Sequence, residues 1–303
     1  MQRTPTETEP RRDRGLAGPP SGNALGAYLR ARREQVTPQQ VGLPEGGVRR
    51  VPGLRREEVA MLAGISADYY LRLERGRDRN PSPQVIAALA RVLRLDETHV
   101  AHLRSLVEDA PRPPRPHHAT LPPGALALLG SLAQPAYVED RYFDVVAAND
   151  LARALSPHLD AGHNQLRDMF VDPEVQALFP DWADYSECLV ANLRQAVGGD
   201  VDDPRLTALV DELTQASGLF RRLWARHEVR GQWGSPVRVV HPRVGELTVN
   251  RERLSINGAE HLMMVVLVPD PGSEDADKLA RVLGSGAGLG QAVLIGPDGR
   301  LEA

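Results

Sequence analysis

Between Asp109 and Gly124 the chain reads DAPRPPRPHHATLPPG, six prolines in 16 residues. Proline fixes φ and has no amide proton, so such a run forms neither a helix interior nor a central strand. It is a stiff spacer, and it divides the chain into two parts that must each bury a core. The 303 residues suffice for that, at roughly 150 per domain. The two parts differ in charge. Residues 1–118 hold 20 basic and 14 acidic side chains, net +6, and residues 119–303 hold 16 basic and 26 acidic, net −10. The front can hold phosphates through arginine, and the rear is repelled by them.

Composition excludes several classes. With 42% hydrophobic and 25% charged residues, most of the chain can fold around a core. No apolar run reaches the ~18 residues that a membrane-spanning helix requires. The opening stretch, MQRTPTETEPRRDRGLAGPPSG, lacks the apolar segment of a signal peptide. Residues 1–22 are expected to be a disordered tail. Cys188 is the single cysteine and cannot form an internal disulfide, which fits a reducing cytoplasm.

The segment from Asn23 to Glu108 is helical and rich in arginine. At its centre stands RREEVAMLAGISADYYLRLERGR, Arg55 to Arg77. Val59, Ala60 and Ala63 share one helix face, and Gly64 follows where a helix C-terminus needs positive φ. Ser66 is a good N-cap for a second helix, whose Tyr70 and Leu73 point back to the core. Two short helices crossing about a glycine turn are a helix-turn-helix. Leu25, Tyr28 and Leu29 give a preceding helix an apolar face, and Ser82-Pro83 opens a following one with the stripe Ile86, Leu89, Ala90, Leu93. Val100, Leu103 and Leu106 predict a fifth. Ser66, Ala67, Asp68, Tyr69 and Arg72 project from the leading edge of the second motif helix and are candidates for base contacts in a major groove. Arg55 and Arg56 are phosphate-contact candidates, and Arg32, Arg33, Arg75, Arg77 and Arg79 add nonspecific attraction. Each arginine could equally be a solvated charge. Glu74 is expected to pair with a helix arginine, and Tyr70 to be core.

These stretches, together with ALGAYLRARRE and NPSPQVIAALARVLRLD, resemble the helix-turn-helix of the xenobiotic-response-element family of bacterial regulators. The form LRREEVA…GIS-x-x-YY-x-RLERGR, with an insert at Gln39–Gly53, is similar to the MmyB-like branch.

The second part, 123–285, opens with the β-rich PAYVEDRYFDVVA from Pro135. Helical periodicity runs from about Asp150 to Val229. From Pro236 the period becomes two, and HLMMVVLVP reads as a strand buried on both faces. Strands, then helices, then strands predict a sheet with helices on one face. The segments AANDLARAL, NQLRDMF, FPDWAD and ASGLFRRLWARHEV resemble the ligand-binding domain of MmyB-like regulators. That resemblance implies a PAS-like α/β fold with an antiparallel sheet, helices and an apolar cavity for a small hydrophobic ligand such as a fatty acid. Phe170, Phe179, Trp182, Phe220 and Trp224 are candidates to line it, although each could be ordinary core. Arg167 or His227 could hold a carboxylate or tie helices together. Asn149 is expected to cap a helix. Residues 109–122 form the linker, and 286–303 a tail with a possible hairpin.

Enzyme motifs are missing. His227-Glu228 has no second histidine four residues on, as a zinc hydrolase helix would, and LGSGAGLG follows a helix rather than a strand. His117-His118 falls in the proline spacer. No catalytic residue, metal or cofactor is expected. The sequence therefore predicts a cytoplasmic, nucleoid-associated, dimeric regulator of an operator duplex, with no enzyme activity. The rival is a DNA-binding protein whose second domain only dimerises or recruits a partner.

Overall fold

In the computed structural model the described residues are 23–44, 52–107, 121–198, 203–229, 236–284, 293–295 and 301–302. The expected tail 1–22, most of the proline linker with His117 and His118, the middle of the insert, the run from 285 to 290 and the Gly-Pro-Asp-Gly turn lie outside them. Among the described residues no helix is long and apolar enough to cross a membrane.

The front part is five helices: α1 (Ala24–Gln35), α2 (Arg56–Ala63), α3 (Ala67–Glu74), α4 (Pro83–Val92) and α5 (Glu97–Val107). Local chemistry sets most of their ends. Asn23 Oδ1 accepts from the Gly26 amide, Ser66 Oγ from Tyr69, and Ser82 Oγ from Val85, each satisfying a donor that the first turn leaves open. Gly64, at φ 68°, ends α2 in the left-handed region, which lets α3 start at a steep angle. Tyr28, Leu29, Leu54, Val59, Tyr70, Leu73, Leu89 and Leu103 close the core between them.

The rear part begins with α6 (Pro123–Ser131), β1 (Ala136–Asp140) and β2 (Val145–Ala148). Six helices follow: α7 (Asp150–Leu155), α8 (Gln165–Val171), α9 (Pro173–Leu178), α10 (Trp182–Val197), α11 (Pro204–Ala216) and α12 (Gly218–Ala225). The continuous helical pattern is cut into these pieces partly by prolines, which open α9 and α11 at the first helical position. Then come β3 (Pro236–His241), β4 (Gly245–Ser255), β5 (Leu262–Val268), α13 (Glu274–Leu283), β6 (Val293–Ile295) and β7 (Leu301–Glu302). The strands form one antiparallel sheet in the order β3-β4-β5-β1-β2-β6-β7, with β6 and β7 paired at its edge. β1 lies between β5 and β2, so the chain's first rear strand becomes central and its last long strand completes the core.

Alternation along the strands separates two faces. Ala136, Val138, Met264 and Val266 face Leu121 and α6, where Leu129 is fully buried. Tyr137, Val249, Val265 and Leu267 point the other way, with Leu155 and Leu279 of α7 and α13. The sheet is therefore covered on both faces, not on one as the element order suggested. The cause is α6: its Leu129 is buried against the strand face left open by α7 and α13, with Ala125 and Leu126 packed beside it, while its outer side, Leu128 included, stays exposed. A separate core gathers α8, α10, α11 and α12 around Phe170, Leu189, Leu193, Leu209 and Phe220.

Gly26 marks the closest approach of α1 to the end of α3. A methyl group there would stand 2.3 Å from the Glu74 carbonyl oxygen and 2.3 Å from Asn23 Oδ1. Gly26→Ala should destabilise the front bundle by about 1–3 kcal/mol, read as a lower urea midpoint at unchanged slope. An unaltered midpoint would contradict this packing of α1 on α3.

Candidate functional site

The leading edge of α3 is open to solvent. Ser66, Ala67 and Asp68 are exposed, Tyr69 and Arg72 are half-buried, and Tyr70 and Leu73 face inward. Arg72 is not loose. Its guanidinium pairs with Asp68 one turn back, takes Asp78 through Nε at 3.0 Å, and lies over the Tyr69 ring at 5.5 Å. These contacts hold its charge above ordinary arginine strength, the Asp78 hydrogen bond being the largest cause. Arg55, Arg75, Arg77 and Arg79 are exposed around this edge.

Three arginines of the expected set are employed elsewhere. Glu74 is buried, and its carboxylate takes Nε of Arg33 and Nε of Arg56, each at 2.6 Å. Burial works against the charge of Arg33, but the hydrogen bond and attraction of Glu74 outweigh it and raise its pKa. Arg33 also donates to the Leu54 carbonyl at 2.9 Å, so it ties α1 to the entry of α2. Arg56 keeps part of its surface in solvent beside Arg55. Arg32 points to the rear part instead.

That contact is the junction between the two parts. Arg32 Nη1 donates to both carboxylate oxygens of Glu228 at 3.0 Å, and His99 Nε2 stands 3.5 Å from the same group. Gln35 donates to the Arg226 carbonyl at 2.9 Å. Behind them Arg194 of α10 is buried. It donates to the Trp224 carbonyl, stacks on the Trp224 indole at 3.9 Å, and lies 3.1 Å from His227 Nδ1. Burial is the chief cause lowering its pKa to about 9, and burial, then Arg194, lowers His102 and His227 to about 3. Both imidazoles are thus neutral at ordinary pH.

The rear part also has a cavity between the sheet and helices α7 to α10. Tyr137, Val249, Arg251 and Leu267 form its floor, and Leu155, Met169, Val175, Leu178, Phe179 and Tyr185 its roof. Phe179 and Tyr185 stack at 5.1 Å across the roof. The space is about 50 Å³, far below the roughly 300–1,000 Å³ of small-molecule pockets. Its floor carries charge. Arg251 donates to both oxygens of Glu139, at 2.9 and 2.8 Å, and to the Tyr137 hydroxyl at 3.2 Å. Arg253 shares that one carboxylate at 2.7 Å. Burial lowers the Arg253 pKa and Glu139 only partly offsets it, whereas for Arg251 the attraction of Glu139 outweighs burial and raises it.

Of the residues named from sequence as ligand contacts, Phe179 lines this cavity. Phe170 and Phe220 meet edge to face at 5.2 Å in the helical core, Phe220 stacks on Trp224, and Trp182 packs against the same cluster. Arg167 makes a two-pronged surface pair with Glu212, at 2.6 and 2.7 Å. His227 sits in the junction. Sequence reasoning missed Tyr137, Glu139, Arg251, Arg253 and Tyr185. One signal was available: Leu247 and Val249 occupy the inward register of β4, and Arg251 and Arg253 continue it at the same spacing.

Neutral His227 gives the junction a pH dependence. Its folded pKa of about 3 lies below the unfolded value of about 6.5, so the unfolded chain binds more protons between them. The stability it contributes is therefore present above about pH 6.5 and lost on acidification. Asp140, pushed up to about 7 by burial and then by Asp144, titrates with the opposite sign, so the useful quantity is a difference. Between about pH 7.5 and 5.5, His227→Gln should lose about 1 kcal/mol less stability than the wild type. Equal losses in chemical denaturation would contradict a buried, neutral His227.

Residues 24–103 match the family model of a helix-turn-helix domain, and residues 121–283 match that of the MmyB-like transcription regulator ligand binding domain. No curated protein is similar enough to match. The second model alone spans more than half of the chain, and its bounds take in α6 to α13, strands β1 to β5 and the cavity just described. The chain therefore belongs to the MmyB-like transcription regulators, with a helix-turn-helix domain in front of the ligand-binding domain of that family.

Proposed function

We propose that this regulator reads its operator with α3 and changes its hold on DNA when an anionic amphiphile, such as a fatty acid, enters the cavity over the sheet. The observation that carries the ligand class is the cavity floor. Apolar walls suit a hydrocarbon body, and the buried Arg251 guanidinium in the floor suits an anionic head. The space of about 50 Å³ means that such a ligand has to part the roof. Tyr185 in that roof and Arg194 in the junction belong to the same helix, α10, so a displaced roof acts on the contact with α1. In the cytoplasm, a homodimer would place two α3 helices on successive major grooves, as helix-turn-helix proteins do.

On DNA, Ser66, Ala67, Asp68, Tyr69 and Arg72 are assigned to base edges and Arg55, Arg56 and Arg77 to phosphates. Arg72 reads guanine, with Asp68 and Asp78 aiming its guanidinium. With a duplex selected by the protein from a random pool, Arg72→Ala should cost about 1–3 kcal/mol on the selected duplex and relax the preference at one base pair. Arg55→Ala should weaken all duplexes alike and flatten the salt dependence by about one unit of slope. If Arg72→Ala weakened random and selected duplexes equally, α3 would not be the reading element.

A second reading is favoured by the small size of the cavity: the rear domain dimerises or recruits a protein and holds no ligand. Native mass spectrometry of the purified chain, followed by operator titration with and without a long-chain fatty acid, separates the two. The sensor reading expects a bound lipid and an affinity change of about 5- to 150-fold, the usual range of allosteric coupling. Equal affinities, with no bound lipid, would leave the second reading standing.

A further inference from the structure

Beside the cavity, the turn between α7 and α8 gathers two imidazoles and a carboxylate. His163 Nδ1 stands 2.8 Å from Asp168 Oδ2, and His158 Nδ1 stands 3.4 Å from the same oxygen. One donor atom from each of the three residues lies within 4.8 Å of the others, and the two rings meet edge to face at 5.1 Å. The backbone that presents them is held in place. Gln165 Nε2 donates to the His158 carbonyl at 2.8 Å, and Asn164 caps α8 while donating to the Tyr142 carbonyl and to Asp144.

Two observations separate this group from an ordinary His–Asp hydrogen bond. His158 Nδ1 is buried and, although Asp168 Oδ2 lies 3.4 Å away, makes no hydrogen bond, which a buried polar atom seldom lacks without cause. Its other nitrogen, Nε2, faces Asp172 Oδ2 at 3.9 Å.

We infer that His158, His163 and Asp168 form a binding site for a divalent transition-metal cation of the zinc type. Two imidazoles and one carboxylate suit such a borderline ion, whereas magnesium and calcium call for more oxygens. When the ion binds through Nδ1 of His163, a proton carried on that nitrogen passes to Nε2 or to solvent. Three protein ligands leave a coordination position open. His158 and Asp168 also line the cavity, which puts the ion within reach of a donor atom on a molecule held there. The inference does not depend on the fatty-acid reading, because it concerns the side chains alone.

The test uses the full chain, stripped with a chelator and dialysed against zinc, with bound metal counted by elemental mass spectrometry. One zinc per chain is expected, with at least a tenfold weaker affinity in both His163→Ala and Asp168→Asn. His163 is half-exposed and Asp168→Asn keeps the side chain's shape, so folding is checked by circular dichroism and by operator binding, which both variants should retain. Cobalt bound to the wild type gives a readout free of any variant. Visible bands of a nitrogen- and oxygen-ligated site are expected, without a thiolate charge-transfer band. No stoichiometric zinc, unchanged affinity in both variants, or a thiolate band from Cys188 would each overturn the assignment. Fatty-acid binding is scored separately, on chelated protein, so failure of one claim is distinguishable from failure of the other.

Discussion

Glu74 stands at the end of α3 almost out of reach of water, with Nε of Arg33 on one side and Nε of Arg56 on the other. Three helices are fixed by that one carboxylate, because Arg33 belongs to α1 and Arg56 opens α2. Removing Glu74 would leave the buried Arg33 guanidinium without its carboxylate, a change of the kind that costs about 3–5 kcal/mol. The pitch of α3, and so the aim of its exposed edge, depends on this contact. The next residue back on α1, Arg32, reaches the other way to Glu228. Helix α1 is thus held by the DNA-facing motif through one arginine and by the rear domain through its neighbour.

The rear domain repeats the device in reverse proportion to its surroundings. Glu139 also serves two guanidiniums, one of which, Arg251, lines the cavity floor. Helix α10 connects this floor's roof to the junction, with Tyr185 over the cavity and Arg194 packed against Trp224. A rigid helix with one end over the cavity and the other in the domain contact is a physical route for coupling, without a chain of soft contacts.

Local features were legible in the sequence. The caps at Ser66 and Ser82, the left-handed Gly64 and the core role of Tyr70 follow from residues a few positions apart. So was the presence of a sheet, because β3 and β4 carry a period of two and β5 reads as one apolar run; the antiparallel pairing was implied by the family resemblance. Contacts across long separations were not. Nothing local distinguishes Arg32 from Arg33, yet one meets Glu228 and the other Glu74. Periodicity shows which face of a segment is apolar and is silent on what covers it. For that reason α6 was not placed on the second face of the sheet, and the sequence left Phe170, Phe220 and Trp224 open between cavity lining and core; they pack in the core of α8, α10, α11 and α12. Arg251 and Arg253 were overlooked because a charge inside a strand reads as its solvent side until the register is known.

The central claim is that the solvent-facing start of α3 enters a duplex groove while the α1 junction holds the rear domain. Hydrogen–deuterium exchange of the full chain, free and bound to its selected duplex, tests it most directly. Slowed exchange across Ser66–Arg77, with little change in the strands of the rear sheet, is the result the account predicts. Unchanged exchange at α3 beside strong protection elsewhere would contradict it.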